Sequence, residues 1–163
     1  MICLAGKKLK IGWFSFSCCE DSSIVFTELL NDHYKEWLEK IDFANVRILK
    51  KKSETKDLDV AFVEGAIANR HDEEELKKIR ENSKRLVAIG SCAVTGNPSG
   101  QRNNFGFELK QEIEPAVKTY KLNRKVHRLD EIVKVDSMVP GCPMNEMLFL
   151  NALEKYLKEF GVV

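Results

Sequence analysis

The sequence predicts an α/β fold in which a doubly wound parallel sheet lies between two helical layers. Two observations support this prediction. Segments typical of buried strands alternate with segments of helical periodicity along the whole chain. No internal repeat, low-complexity tract or linker interrupts the 163 residues, and such a length suits one compact domain. We therefore expect a single three-layer domain over residues 1–163.

The first half of the chain contains three predicted strands and one long helix. Residues 8–16, KLKIGWFSF, are rich in strand formers and end at two adjacent cysteines. Apolar residues then recur at helical spacing from Ser22, and Asp21 or Ser22 is a suitable N-cap. Residues 44–50, ANVRILK, form a short second strand. Residues 58–65, LDVAFVEG, form the apolar third strand of a sheet covered on both faces.

The second half continues the alternation. HDEEELKKIRENSK, residues 71–84, predicts a helix with an acidic first turn, and RLVAIGS, residues 85–91, predicts a buried strand. FELKQEIEPAVKTY, residues 107–120, is weakly helical, and EIVKVDSMV, residues 131–139, resembles a last strand. NEMLFLNALEKYLKEF, residues 145–160, predicts an amphipathic helix. Five strands with these connections favour the flavodoxin-like order 2-1-3-4-5.

Composition excludes several classes of function. Apolar residues make up 44% of the chain, charged residues 31%, and the formal net charge is +1, so neither disorder nor a nucleic-acid surface is indicated. No segment approaches the roughly 18 apolar residues of a membrane helix, and we expect no direct membrane insertion. The N-terminus shows no export signal. Five cysteines, an odd number, fit a reducing compartment, and we expect a cytoplasmic protein.

Four of the cysteines follow predicted strands. Cys18 and Cys19 follow the first strand, Cys92 follows RLVAIGS, and Cys142 follows the last strand. Two adjacent cysteines lie too close together for an ordinary disulfide. Because parallel strands present their carboxyl ends at one edge of the sheet, the four thiols should meet there. Four thiolates suit zinc or an iron–sulfur cluster, and the arrangement of one pair and two single ligands favours the cluster.

Residues beside two of these cysteines let the backbone approach a cofactor closely. Gly90 precedes Cys92, and Pro140, Gly141 and Pro143 surround Cys142. Glycine has no Cβ and proline fixes φ, so thiolates can point inward while backbone N–H groups face the sulfurs. FMN binds at the same edge of flavodoxin-like sheets, but thiols and carboxylates after the first strand suit a phosphate poorly.

Three segments carry a resemblance to a known family. DLDVAFVEGAI, LVAIGSCAVTGNPSGQRNNFG and VPGCP resemble the small subunit of nickel–iron hydrogenases, especially the cytoplasmic, NAD-reducing and related soluble groups. They are also similar to the 20 kDa subunit of respiratory complex I. Hydrogenase small subunits of those groups begin with a C-x-x-C pair, whereas here Cys18 and Cys19 are adjacent and Ser22 occupies the later position. Adjacent cysteines are the complex I pattern.

The resemblance implies an electron-transfer subunit of an oxidoreductase complex, with no complete active site and no catalytic residue of its own. One 4Fe-4S cluster bound by Cys18, Cys19, Cys92 and Cys142 would relay electrons between a nickel–iron large subunit and a downstream acceptor, such as a ferredoxin or another electron-transfer subunit. No cysteine follows Cys142, so we expect one cluster. The alternatives are a complex I-like, quinone-linked subunit and a cluster-free scaffold protein on the same fold.

Three further features lie outside the cysteine motifs. Glu64 ends an apolar strand near the expected cluster, where it either contributes to the site or organises its own turn through Gly65. The loop SGQRNNFG, residues 99–106, is expected to face a partner. Cys3 matches no motif and is expected to be a structural or free thiol.

Overall fold

The computed structural model describes residues 6–46, 49 and 54–163. Cys3 and most of the segment 47–53 lie outside this part of the chain. The described part contains seven strands: β1 Leu9–Ser15, β2 Ile41–Asn45, β3 Leu58–Glu64, β4 Ile67–Asn69, β5 Ser83–Ile89, β6 Leu122–His127 and β7 Ser137–Val139. Five of them form a parallel sheet in the order β2-β1-β3-β5-β7. Counted along the chain, this is the predicted order 2-1-3-4-5.

Five α-helices accompany the strands in the described ranges: α1 Asp21–Lys40, α2 Arg70–Glu81, α3 Gly90–Thr95, α4 Phe107–Thr119 and α5 Glu146–Glu159. Helix α2 has a side-chain cap, because Asn69 accepts a hydrogen bond from the backbone N–H of Asp72. Helix α5 is capped in the same way by Asn145, which accepts from the N–H of Leu148. Two 3-10 turns, Gln101–Asn104 and Leu129–Glu131, accompany these elements.

The side chains of the sheet alternate between two apolar layers. Along β3, Val60 and Phe62 pack with α1 and α5, whereas Ala61 and Val63 pack with α2 and α3. All seven residues of β3 are buried, as expected for a strand covered on both faces. The predicted three-layer α/β fold is therefore confirmed.

Several boundaries differ from the sequence prediction. Strand β2 begins at Ile41, directly after α1, so it overlaps only the start of the predicted segment 44–50. Strand β7 covers only Ser137–Val139, because the preceding residues form the 3-10 turn Leu129–Glu131 and an irregular segment. Neither Asp21 nor Ser22 caps α1. The cap position belongs to Glu20, whose φ of 63° is left-handed and whose side chain makes no capping hydrogen bond.

A second, two-stranded sheet was not expected from the sequence. Strands β4 and β6 pair antiparallel, with Ile67 opposite His127 and Asn69 opposite Leu122. Strand β4 continues from β3 after the turn at Gly65, whose φ is 91°. The antiparallel pair lies beyond the carboxyl end of the main sheet, where the cysteines are expected.

Candidate metal centre

The four predicted cysteine ligands line one pocket. The lining comprises Cys18, Cys19, Glu20, Asp21, Ser22, Glu64, Gly65, Ile89, Gly90, Ser91, Cys92, Gly141, Cys142 and Pro143. These residues lie at the carboxyl ends of β3 and β5 and in the segments that follow β1, β3, β5 and β7, which include the first turns of α1 and α3. The structure thus brings together Cys18, Cys19, Cys92 and Cys142, and with them Gly90, Gly141 and Pro143. Pro140 is not part of the lining, and its carbonyl accepts a hydrogen bond from the Asn145 N–H at 3.0 Å.

The four thiols are covered to different extents. Cys92 is buried with 7% of its surface exposed, and Cys18 is half-buried. Cys19 and Cys142 are exposed. All four are free thiols in the part of the chain that the structure describes. The pocket therefore has a covered side at Cys18 and Cys92 and an open side at Cys19 and Cys142.

Two glycines shape the backbone around the thiols. Gly90 and Gly141 adopt φ angles of 77° and 122°, a region that other residues rarely occupy. A Cβ built on Gly141 would lie 2.5 Å from the Pro143 carbonyl oxygen, and one on Gly90 would lie 2.9 Å from Ser22 Oγ. The tight turns before Cys92 and Cys142 consequently require glycine at both positions.

Hydrogen bonds join the cysteine-bearing loops to one another. The Ser91 N–H donates to the Gly141 carbonyl at 2.7 Å, which links the turn before Cys92 to the turn before Cys142. The Met144 N–H donates to Ser22 Oγ at 3.2 Å, which links the Cys142 loop to the start of α1. Ser22 is 6% exposed, so this bond is shielded from water. Ser22, which occupies the later position of the C-x-x-C pattern, thus accepts a hydrogen bond that holds the Cys142 loop to α1.

The small sheet covers Cys92. Val126 of β6, Ala66 and Ala68 form a buried apolar group with Cys92, and Cys18 packs against it. A short antiparallel bridge between Ser17 and Ala66 continues this cover on the β1 side. The two cysteines of the covered side therefore lie directly beneath the β4–β6 sheet.

Arg102 and Asn103 hold the cover in place. Arg102 Nη2 donates to the carbonyls of Ala68 at 3.2 Å and Asn123 at 2.8 Å, one on each strand of the small sheet. Asn103 Nδ2 donates to the Val126 carbonyl, and Asn103 Oδ1 accepts from the Val126 N–H, both at 2.8 Å. The loop expected to face a partner thus directs these two side chains inward, and desolvation lowers the pKa of Arg102.

Ser99 contacts the centre directly, which sequence reasoning missed. Its hydroxyl lies 2.7 Å from the Ser17 carbonyl and 3.1 Å from Cys92 Sγ. The contact of this serine depends on the chain turning back after α3, which no local sequence pattern predicts. The sequence indicates only that Ser99 lies in the Gly- and Asn-rich loop after Cys92.

Glu64 lies between the pocket and the body of the domain. It is 2% exposed, and its Oε1 accepts hydrogen bonds from Ser15 at 2.7 Å and Ser23 at 2.5 Å. Trp13 Nε1 donates to Ser23 Oγ at 2.7 Å, which extends the chain of bonds into the core. The carboxylate therefore ties β1 and α1 to the end of β3, while it also lines the cysteine pocket.

The surroundings affect the cysteines of the pair differently. Burial, followed by the charge of Glu64, raises the pKa of Cys18 to about 12, so this thiol is protonated at neutral pH in the cluster-free protein. For Cys19, a hydrogen bond from the Asp21 backbone N–H lowers the pKa. The Asp21 side chain and desolvation have a larger opposite effect, so the pKa of Cys19 is also raised. Binding of a metal centre through these sulfurs must therefore release protons.

The donor set at this pocket consists of four cysteine thiols. In the part of the chain that the structure describes, no group of three or more His, Cys, Asp or Glu side chains is arranged around one metal-ion position. A 4Fe-4S cluster binds four cysteine thiolates, each to a different iron, so it needs sulfurs spread around a pocket. Cys18, Cys19, Cys92 and Cys142 are the residues that would hold such a cluster, since all four line one pocket.

Comparison with known proteins identifies the family. Residues 18–156 match the model of the NADH ubiquinone oxidoreductase 20 kDa subunit. The chain belongs to this family. The matched range of the 20 kDa family begins at the first cysteine of the pocket and includes the other three.

Curated relatives of this 20 kDa-family chain include hydrogenase subunits. A subunit of the vhu F420-non-reducing hydrogenase of Methanocaldococcus jannaschii is 31% identical over 94% of this chain and 56% of that protein. The NAD-reducing hydrogenase HoxS subunit delta of Cupriavidus necator is 27% identical over 83% of this chain and 72% of that protein. The chain thus spans little more than half the length of the methanogen relative.

Solved structures agree with this family. A chain of the NAD+-reducing NiFe-hydrogenase in its H2-reduced state has a TM-score of 0.76 and 26% identity, over 94% of this chain and 93% of that one. A chain of the NiFeSe hydrogenase of Desulfomicrobium baculatum has a TM-score of 0.63 and 16% identity, over 91% of this chain and 61% of that one. The second likeness establishes the fold alone.

Among the described residues of this 20 kDa-family chain, none of the helices has the length and apolar character needed to cross a bilayer.

Proposed function

We propose that this chain is the electron-transfer small subunit of a nickel–iron hydrogenase. In this role it holds one 4Fe-4S cluster through Cys18, Cys19, Cys92 and Cys142. The observation that carries the proposal is the meeting of these four thiols, from three strand ends, around one pocket. When bound, such a cluster accepts and returns single electrons. The likeness to NAD-reducing hydrogenase chains supports this choice within the family.

The contributions of the protein to this role are positioning, hydrogen bonding and exclusion of water. Gly90 and Gly141 make the turns that direct Cys92 and Cys142 toward the pocket. Ser99 brings a hydroxyl to 3.1 Å from Cys92 Sγ. Val126 and the small sheet keep water from the covered side. These groups set the potential of a bound centre through burial and sulfur hydrogen bonds.

The partner that completes the site is a nickel–iron large subunit on the open side. Large apolar side chains near this side are exposed, with Ile24 at 58%, Met147 at 65% and Leu148 at 44%. Ile24 belongs to the first turn of α1, while Met147 and Leu148 belong to the first turn of α5. Burial of these side chains against a partner would also cover Cys19 and Cys142. Such a complex belongs in the cytoplasm, where free thiols persist.

A second candidate is a complex I-like, quinone-linked subunit. The adjacent pair Cys18 and Cys19 and the family description of the 20 kDa subunit favour it. Both candidates use the same cluster and differ in the large subunit. Sequencing the large subunit that co-purifies with this chain distinguishes them, since cysteine pairs able to bind nickel are required only for a hydrogenase.

FMN at this edge is a weaker candidate cofactor, because the pocket is lined by thiols and carboxylates.

The test is metal analysis of the chain purified with its partner under anaerobic conditions. We expect about four iron and four acid-labile sulfide per chain, and a paramagnetic signal after reduction with dithionite. Stoichiometric zinc without iron would contradict the proposal. Neither metal in anaerobic protein would instead favour the cluster-free scaffold.

A further inference from the structure

The outer side of the small sheet carries a positively charged groove. A cavity of about 330 Å³ lies between α4 and β6, and it is lined by Arg102, Lys110, Ile113, Glu114, Val117 and Arg124. Helix α4 buries only Val117, so most of its surface faces solvent. This helix is thus held on the domain by few buried side chains while it presents a broad outer surface.

Charge on this surface is not neutralised. Lys110, Lys121 and Arg124 are exposed and have no ion-pair partner among the residues that the structure describes. Their neighbours differ, since Lys118 pairs with Glu114 and Lys125 pairs with Glu131. The segment 118–128 contains no acidic residue. The carboxylate in the groove, Glu114, is paired with Lys118. The groove and the turn beside it therefore present three positive charges without an ion-pair partner.

Exposed aromatic side chains lie at both ends of α4. Tyr120 is 72% exposed at the end of α4, next to Lys121, and Phe107 is 75% exposed one turn before Lys110. Aromatic residues surrounded by polar and charged ones are typical of protein interfaces. We name the surface formed by Phe107, Lys110, Tyr120, Lys121 and Arg124 the basic face.

The basic face and the buried thiols are connected by strand β6. Arg124 and Val126 belong to the same strand, β6, and Val126 packs in the apolar group that contains Cys92. Strand β6 thus carries both a residue of the apolar group around Cys92 and a residue of the basic face. The apolar open side, at Cys19 and Cys142, is a different surface.

We propose that the basic face is the docking site of a second, acidic electron-transfer protein, which exchanges electrons with the centre through β6. This inference rests on the proposed function and assigns the acceptor a place and a charge. Exposed cations attract an acidic partner over a distance and orient it on encounter. The exposed aromatic residues then supply the short-range contact. The large subunit and the acceptor thus occupy separate sides of the same centre.

The experiment measures binding and electron transfer separately. The anaerobic complex is titrated with an acidic 2Fe-2S ferredoxin as the probe, by calorimetry at low and at high salt, and electron transfer is followed by stopped-flow absorbance. The test variant is Lys121→Glu with Arg124→Glu. The control variant is Lys35→Glu with Lys56→Glu, which reverses two exposed lysines on α1 and before β3. Cationic cytochrome c is the probe of opposite charge.

We expect the test variant to bind the ferredoxin about tenfold more weakly at low salt, and the control variant to bind as the wild type does. High salt should weaken wild-type binding. Absence of ferredoxin binding, equal losses in both variants, or stronger binding of cytochrome c would each overturn the docking proposal. Iron content and the reduced-state signal are measured on the same samples. The iron content and the reduced-state signal test the proposed function. Calorimetry tests the docking separately, because binding of ferredoxin does not require electron transfer.

Discussion

At the scale of single residues, the four thiols of the pocket have unequal surroundings. Cys92 is buried beside Ser99 and Val126, whereas Cys19 and Cys142 are exposed. Burial and hydrogen bonds to sulfur both influence an iron–sulfur centre. The role of each cysteine therefore has to be tested separately.

The first prediction concerns the adjacent pair. Replacement of Cys18 or Cys19 by serine should abolish or alter the cluster signal, because loss of one thiolate leaves an iron without a strong ligand. Electron paramagnetic resonance of the reduced variants measures this, together with iron content. Cys3→Ser is the control and should leave both unchanged. If one variant of the pair retains the wild-type spectrum, that cysteine is not a ligand.

The second prediction concerns Ser99. Its hydroxyl lies 2.7 Å from the Ser17 carbonyl and 3.1 Å from Cys92 Sγ, so its single proton is shared between the two. The part of this interaction that reaches the sulfur stabilises the more negative, reduced state of a bound cluster. Ser99→Ala should lower the reduction potential, by about 60 mV for each 1.4 kcal/mol of differential stabilisation lost. Potentiometric titration measures the shift. Ser99→Thr keeps the hydroxyl and should restore the wild-type potential, and an unchanged potential in Ser99→Ala would show that the contact has no influence.

The sequence was sufficient to predict that the cysteines meet at one edge of the sheet, but not which residues contact them. Cys18, Cys92 and Cys142 could be grouped because each follows a strand, and parallel strands end at one edge. Ser99 and Asn103 act through contacts made only after the chain has folded back. Such contacts have no local sequence pattern.

At the scale of secondary-structure elements, the small sheet determines how the pocket is covered. Strand β4 has three residues and β6 contains two exposed basic residues, Arg124 and Lys125. Short, charged strands lack the apolar alternation by which strands are recognised, which explains why this sheet was not predicted. The long apolar strand β3, in contrast, was predicted within one residue of its boundaries.

The third prediction tests the cover. Asn103→Ala removes both hydrogen bonds to the Val126 backbone, and an unpaired buried N–H costs about 1–3 kcal/mol. In the cluster-free protein, this variant should unfold at lower denaturant and its Cys92 should be alkylated faster. Asn104→Ala is the matched control, since Asn104 is exposed. Equal alkylation of Cys92 in both variants would show that Asn103 does not hold the cover.

At the scale of the whole molecule, an aromatic core joins the sheet to the helices on one face. Phe149 of α5 is fully buried, and its ring centroid lies 5.4 Å from that of Phe62 and 5.9 Å from that of Trp13. Phe26 of α1 completes the contact at 5.8 Å. Because α5 directly follows the Cys142 loop, this core also fixes one side of the pocket.

The fourth prediction follows from this core. Phe149→Ala should reduce the free energy of unfolding by about 3–5 kcal/mol, because it leaves a cavity among rigidly packed rings. Phe107→Ala removes the same side chain from a position that is 75% exposed, and it should have little effect. Denaturant unfolding of the two variants measures the difference. Similar losses in both would contradict the packing described for Phe149.

The unequal exposure of the thiols also bears on biogenesis. A preformed cofactor cannot pass through the Val126 side without displacing Arg102 and Asn103 from the strands they hold. On the proposed function, a donor protein would therefore deliver the cluster past Cys19 and Cys142, the sulfurs that solvent reaches. On the proposed function, the large subunit later occupies that same route. Loading of this subunit would then have to precede its assembly, because docking of the large subunit would close the entrance.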